Sequence, residues 1–299
     1  MKNKVGVLIY HHERKVNIMA KFPLCPEEMM LPYAKYYNWK LMDREPMQLE
    51  LLREPMDPKD ALAPEDLNEL YKPGYLAREC GYCVMPDGTG YGAAYVYMPG
   101  VTIEMIDWWY VWHFIRPQSV PEEAGNLRYK IWCPIEHWDT GFANEESRLR
   151  AIDESIPMRY RRYGAENFIY ESIDGGVGNN RIMIAAKCFD PVDFGFDPKL
   201  VNIPENGTMI ASSSVIDGLS ALNVYQFRPA YMGVEMRIRT YKGIDMVGNG
   251  KFVRDLNGHT VTPEEVKMGN YHCLLEYPHL ARFLPSLYAE QGKKPVTDD

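Results

Sequence analysis

No apolar run in this 299-residue chain approaches the 18 or so residues that a membrane-crossing helix requires, so no membrane span is expected. A short apolar stretch, Val5 to Ile9, follows Lys2 and Lys4, but His11, His12 and Glu13 end it too early for a signal peptide, and no small-residue cleavage site follows. A cytoplasmic location is the expectation. Cysteine is scarce: six residues are too few for a disulfide scaffold, and Cys80-x-x-Cys83 has no second pair at zinc-finger spacing, so reduced thiols are expected. Positive charge is outweighed, 33 Lys and Arg against 41 Asp and Glu for a net −8, which argues against a nucleic-acid or anionic-membrane surface. The one basic cluster, Arg159, Arg161 and Arg162, reads as a solvated strand edge. Several catalytic signatures are incomplete. Gly175-Gly176-Val177-Gly178 lacks the Lys-Ser/Thr of a phosphate loop. Asp193-Phe194-Gly195 has no accompanying glycine loop, strand lysine or catalytic loop, and Ser212 to Ser214 are not in a Gly-x-Ser-x-Gly elbow.

Aromatic side chains with polar tips are abundant, 21 tyrosines and six tryptophans. They suit a pocket that stacks a ring and hydrogen-bonds its substituents, although most of them fill cores. Residues 1–75 are broken by Pro23, Pro26, Pro32, Pro46, Pro55, Pro58 and Pro64, and read as an arm or small subdomain used for packing between subunits, with a short helix at Pro64 to Leu70. Residues 76–299 read as the chemistry-bearing domain. Tyr91 to Met98, Arg128 to Cys133, Asn167 to Ile173, Arg181 to Cys188, Thr208 to Ser214, Leu222 to Arg228 and Val234 to Tyr241 have strand character. Thr102 caps a buried, tryptophan-rich helix. Thr262-Pro263-Glu264-Glu265 starts a long C-terminal helix that Pro278 should kink or break. With no strand–helix alternation, an α+β fold with an antiparallel sheet is expected.

The best local chemical signal is His272 with Glu276. Four residues apart on a helix, they share one face, where an imidazole and a carboxylate can bind one metal ion. A hydrogen bond on the helix surface is the other reading. The apolar neighbours Tyr271, Cys273, Leu274, Leu275 and Tyr277 favour burial, where such groups need pairing, protonation or a metal. Further ligands must come from elsewhere. His137 follows a proline just beyond Arg128 to Cys133. Glu171 sits mid-strand, where alternation leaves both solvent and cavity open to it.

Met98-Pro99-Gly100-Val101-Thr102, Glu104-Met105-Ile106-Asp107-Trp108-Trp109 with His113, Arg128-Tyr129-Lys130-Ile131-Trp132 with His137, Gly233-Val234-Glu235-Met236-Arg237 and His272-x-x-x-Glu276 together resemble the phloretin and diacetylphloroglucinol hydrolases, from about Tyr75 to Tyr288. The resemblance implies a Bet v 1-like helix-grip domain, a curved antiparallel sheet around the long C-terminal helix. It also implies one zinc ion and hydrolysis of the carbon–carbon bond between a phenolic ring and an acyl group. Carried over by position, the metal ligands are His137, Glu171, His272 and Glu276, with Glu166, Glu145 and Glu146 as alternatives to Glu171. Tyr129 and Tyr231 correspond to tyrosines that bind the substrate's phenol. His113 is a pocket residue or a substitute for His137. Near Asp139 and Thr140, where the family has an asparagine, this chain has none. His11, His12, His259 and His279 read as surface or structural residues. A homodimer acting on a small phenolic ketone is the resulting expectation.

Overall fold

The computed structural model describes residues 21–173 and 181–297; His11, His12 and Gly175 to Gly178 lie outside the described residues. Its centre is an eight-stranded sheet: β1 Gly81–Val84, β2 Gly90–Pro99, β3 His137–Phe142, β4 Glu166–Glu171, β5 Ile182–Phe189, β6 Thr208–Ile216, β7 Leu219–Ala230 and β8 Gly233–Lys242. The order is β1-β2-β8-β7-β6-β5-β4-β3, and every neighbouring pair is antiparallel. Period-2 alternation in these segments is what a sheet with one face on a core requires.

The C-terminal helix, Pro263–Gln291, lies across that face. Thr262 and Glu265 form a reciprocal capping box at its start. Gly90 and Gly92 let it approach β2 closely: a Cβ at Gly90 would stand 2.6 Å from Val266 Cγ2, and one at Gly92 2.7 Å from Asn270 Oδ1. The helix runs unbroken through Pro278 and Pro285. Each proline removes one backbone hydrogen bond, but Leu274, Tyr277, Leu280, Phe283, Leu284 and Leu287 are all buried, and that packing outweighs the loss. Against the far half of this helix packs the tryptophan helix Ile103–Trp112, capped by Thr102 as expected. Trp109 meets Phe283 and Trp108 meets Tyr288, edge to face.

Two local readings are corrected. Leu127–Lys130 is a short helix, not a strand, because the Asn126 side chain accepts from the Arg128 N–H and caps a turn. The basic cluster is not a solvated strand edge. It lies in a 3-10 helix with Arg161 and Arg162 buried, and Asp107 receives Arg159 at 2.9 Å, Arg162 at 3.0 Å and the Thr208 hydroxyl at 2.7 Å. The buried Arg162 guanidinium is compensated by that carboxylate, while Arg161 donates to the Ile156 and Ala151 carbonyls.

His279, on the C-terminal helix, is fully buried, and burial with nearby Arg282 and Lys21 lowers its pKa from 6.5 to about 4. The unfolded chain takes up this proton as pH falls through 6.5, whereas the fold resists it until about 4. Stability contributed above 6.5 is therefore lost across that window. His279→Leu is expected to shrink the stability difference between pH 7 and pH 4 by about 2–3 kcal/mol, measured by urea denaturation at both values. An undiminished difference would refute the assignment.

Candidate metal centre

Two pairs of side chains, each set by a different periodicity, meet between the sheet and the C-terminal helix. The first is a cross-strand pair: His137 opens β3 and lies opposite Glu171, the last residue of β4. A register shift between His137 and Asp139 separates this pair from the rest of the ladder. In β4, Asn167, Ile169 and Glu171 face the cavity, while Phe168 and Tyr170 alternate to the other face, where their rings meet at a tilt of 59°. The second pair is His272 and Glu276, one turn apart on the helix. All four residues are buried.

The donor atoms converge. His137 Nε2 and His272 Nε2 are 3.3 Å apart. Glu276 Oε2 is 3.2 Å from the first and 3.6 Å from the second. Glu171 Oε2 is 3.9 Å and 3.7 Å from the same two atoms. Both imidazoles have their other nitrogen engaged: His137 Nδ1 with the Tyr129 carbonyl at 3.3 Å, His272 Nδ1 with Glu136 Oε2 at 2.6 Å. A carbonyl and a carboxylate can only accept, so each Nδ1 carries the proton and each Nε2 presents a lone pair. Four acceptors thus face one another in a buried space, an arrangement that calls for a cation. His137, Glu171 and His272 can together hold a metal ion, and Glu276 Oε2 lies within 3.6 Å of both imidazole nitrogens.

The electrostatics of the surrounding protein groups express the same demand. Burial opposes a charge on His272, but Glu276, Glu171 and Glu136 outweigh it and push its pKa up to about 10. His137 goes the other way, held well below the ordinary range by burial and then by the neighbouring His272.

Glu136 received no role from the sequence, although it adjoins His137. A carboxylate that takes the second N–H of a ligating histidine fixes its tautomer and ring plane, and that is what Glu136 does for His272. Of the other expected residues, Tyr129 is at the site: its hydroxyl donates to Glu171 Oε2, and its ring stacks on His137 at 3.9 Å and 4°. His113 lines the same cavity, buried, with Nδ1 2.6 Å from the Trp109 carbonyl and a pKa lowered by burial to about 3; His137, not His113, stands against His272. Tyr231 is not brought to the site. It occupies the β7–β8 turn, 87% exposed, beside Met232 at φ 54°. The tyrosines that line the cavity besides Tyr129 are Tyr110, Tyr225 and Tyr277. Glu145, Glu146 and Glu166 are exposed. Glu166 alternates away from Glu171 on β4 and bonds Asn144 and Lys187 instead.

The DAPG hydrolase PhiG domain matches residues 62–289. This chain belongs to that family. Its relatives include the phloretin hydrolase of Eubacterium ramulus, 28% identical over 276 residues that cover 91% of this chain and 94% of that one. The 2,4-diacetylphloroglucinol hydrolases of a Pseudomonas species and of Pseudomonas protegens are each 28% identical over 278 residues, covering 87% of this chain and 88% and 85% of theirs. The hydrolase family match spans every residue of the centre.

Because Glu136 orients a donor without reaching the shared point, Glu136→Gln is expected to weaken metal affinity about 10- to 100-fold while leaving about one ion per chain at saturation. Competition with a fluorescent chelator measures this. A variant that binds as tightly as the parent would remove Glu136 from the centre.

Proposed function

We propose that this protein is a zinc-dependent hydrolase that cleaves the bond between a polyhydroxylated aromatic ring and an acyl carbon, giving the free phenol and a carboxylic acid. The observation that carries it is the convergence of two Nε2 lone pairs, 3.3 Å apart, with two carboxylates that each lie 3.2–3.9 Å from both of them. Tetrahedral zinc with bonds of about 2.0–2.2 Å holds its donors roughly 3.3–3.6 Å apart, and nitrogen–oxygen donor sets suit it. His137, Glu171, His272 and Glu276 would hold the ion. When bound, zinc supplies Lewis acidity, which makes water a stronger nucleophile at neutral pH and a ketone carbonyl more electrophilic. We read the surrounding scaffold as the helix-grip architecture of the resemblance, with the cavity between sheet and helix as the substrate chamber.

The chain's own residues suit the ring. Tyr129 has its proton committed to Glu171, so its oxygen faces a ligand as an acceptor. His113 is neutral, with Nδ1–H donated to Trp109, so its Nε2 is an acceptor as well. Two acceptors on an aromatic wall take the protons of two ring hydroxyls. Pulling on those O–H bonds raises electron density at the ring carbon bearing the acyl group, which must gain a proton as its bond to the acyl carbon breaks. Water adds to the carbonyl, the carbon–carbon electron pair goes to the ring and takes a proton, and the acyl group leaves as the acid. A carboxylate at the centre is placed to carry that proton.

The expected outcome is turnover of phloretin or monoacetylphloroglucinol to phloroglucinol and acid, with acetophenone at least about 10⁴-fold slower because it leaves the acceptors unpaired. Tyr129→Phe should lower turnover and retain zinc, whereas His272→Ala should lose both. Equal turnover of acetophenone would sink the reading, and tight binding of all three ketones without turnover would identify a carrier of aromatic ligands instead.

We assign the arm spanning 1–75 to subunit packing, on the exposed Met29, Met30, Met47 and Leu51. Met30→Glu combined with Met47→Glu should shift sedimentation from dimer to monomer; a parent that already sediments as a monomer would refute this.

A further inference from the structure

The cavity extends past the metal centre toward the start of the C-terminal helix, and the two sides differ in character. On one side the walls are Tyr110, His113, Phe114, Tyr129, Trp132 and Phe142, flat faces that suit a planar ring. On the other, the helix contributes Val266 and Gly269. Across from them the sheet supplies Ser212, Asn223 and Thr240, side by side in register on β6, β7 and β8, with Lys242 two residues further along β8. Lys242 is buried, its amine 3.8 Å from Glu265.

Gly269 is the informative residue. A glycine inside a helix lowers its stability relative to alanine. Gly90 and Gly92 recover that kind of loss through close packing, but at Gly269 an added Cβ would meet no heavy atom of the described residues within 4 Å. The missing side chain leaves cavity space. Gly269 precedes His272 by three residues, about 4.5 Å of helix rise, and Val266 precedes it by six, about 9 Å.

We propose that this lobe is the acyl-chain subsite and that Gly269 sets the length of acyl group the enzyme accepts. The inference rests on the reaction proposed above. With the scissile bond at the centre, ring and acyl chain point to opposite sides, and the aromatic side takes the ring. An extended arylpropanoyl group reaches roughly 8 Å from carbonyl carbon to a terminal hydroxyl, from bond lengths of about 1.5 Å. That span fits between the centre and Val266, and the terminal hydroxyl falls among Asn223, Thr240 and Lys242. An acetyl group leaves the lobe empty.

The test uses the full chain loaded with zinc, with phloretin as the long-chain probe and monoacetylphloroglucinol as the short one. In Gly269→Val the quotient of the two kcat/KM values, long over short, is expected to fall roughly 30-fold or more relative to the parent. Gly269→Ala should fall part of the way while raising the melting temperature. Valine is more favourable than glycine within a helix, so folding should survive, which circular dichroism checks. A quotient that does not change, or a parent that cleaves only the acetyl ketone, overturns the subsite and leaves the proposed reaction standing. If the parent cleaves neither ketone, the reaction reading fails, and phloretin binding followed by tryptophan fluorescence decides the subsite. Binding at least about tenfold weaker in Gly269→Val supports it, and equal binding overturns it.

Discussion

Two imidazole nitrogens 3.3 Å apart, each with the proton of its ring already donated elsewhere, repel each other, and two buried carboxylates beside them cannot relieve that repulsion. The four become compatible when a positive charge sits among them. The protein's own groups express the same demand: the carboxylates of Glu276, Glu171 and Glu136 hold the His272 imidazole basic, while His137 is held the other way by burial and by His272. The surrounding structure can be read as the means of keeping these groups together: Glu136 and the Tyr129 carbonyl remove the alternative tautomers, Tyr129 takes one oxygen of Glu171, and Trp132 donates its indole N–H to the Glu276 carbonyl at 3.1 Å.

The aromatic content follows from the same requirement. A site that must exclude water while reading hydroxyl groups needs walls that are apolar over most of their area and polar at chosen points. Tyr110, Tyr225 and Tyr277 meet that description around the cavity, with the Tyr110 and Tyr277 hydroxyls in contact. Burial raises the pKa of all three well above the ordinary range, so they remain neutral donors and acceptors. Catalytic polarity is then concentrated at the centre and at the few acceptors beside it.

His272 and Glu276 were legible because a helix places residues four apart on one face whatever the tertiary fold. Their partners are less legible, since strand register is absent from the sequence and a one-residue slip would turn Glu171 outward; the residues alone leave His137 and Glu171 as open candidates, and the family resemblance selects them. The large strands and the helix caps at Thr102 and Thr262 could be read because their patterns extend over many residues. Leu127–Lys130 is too short for a helical period to show, and its alternation imitated a strand. The buried Arg162 looked like surface because its partner, Asp107, is 55 positions away in the sequence. Tyr231 corresponds by position to a phenol-binding tyrosine of the family, but the β7–β8 turn carries it into solvent. Glu136 had one available signal, a carboxylate next to a candidate ligand, and it becomes meaningful once the other ring nitrogen of His272 is traced to it.

Among the described residues the sheet has two free edges, β1 and β3, because there β1 pairs only with β2 and β3 only with β4. The C-terminal helix rests on β1 and β2, while His272 and Glu276, projecting from the same helix, meet the His137–Glu171 pair at the opposite margin. The helix therefore spans from one rim of the sheet to the other, and an ion at the centre would act as a rivet that ties the two margins of the sheet together through the helix. In such a construction a catalytic ion would also be a mechanical fastener, so the enzyme's shape and its chemistry would fail together.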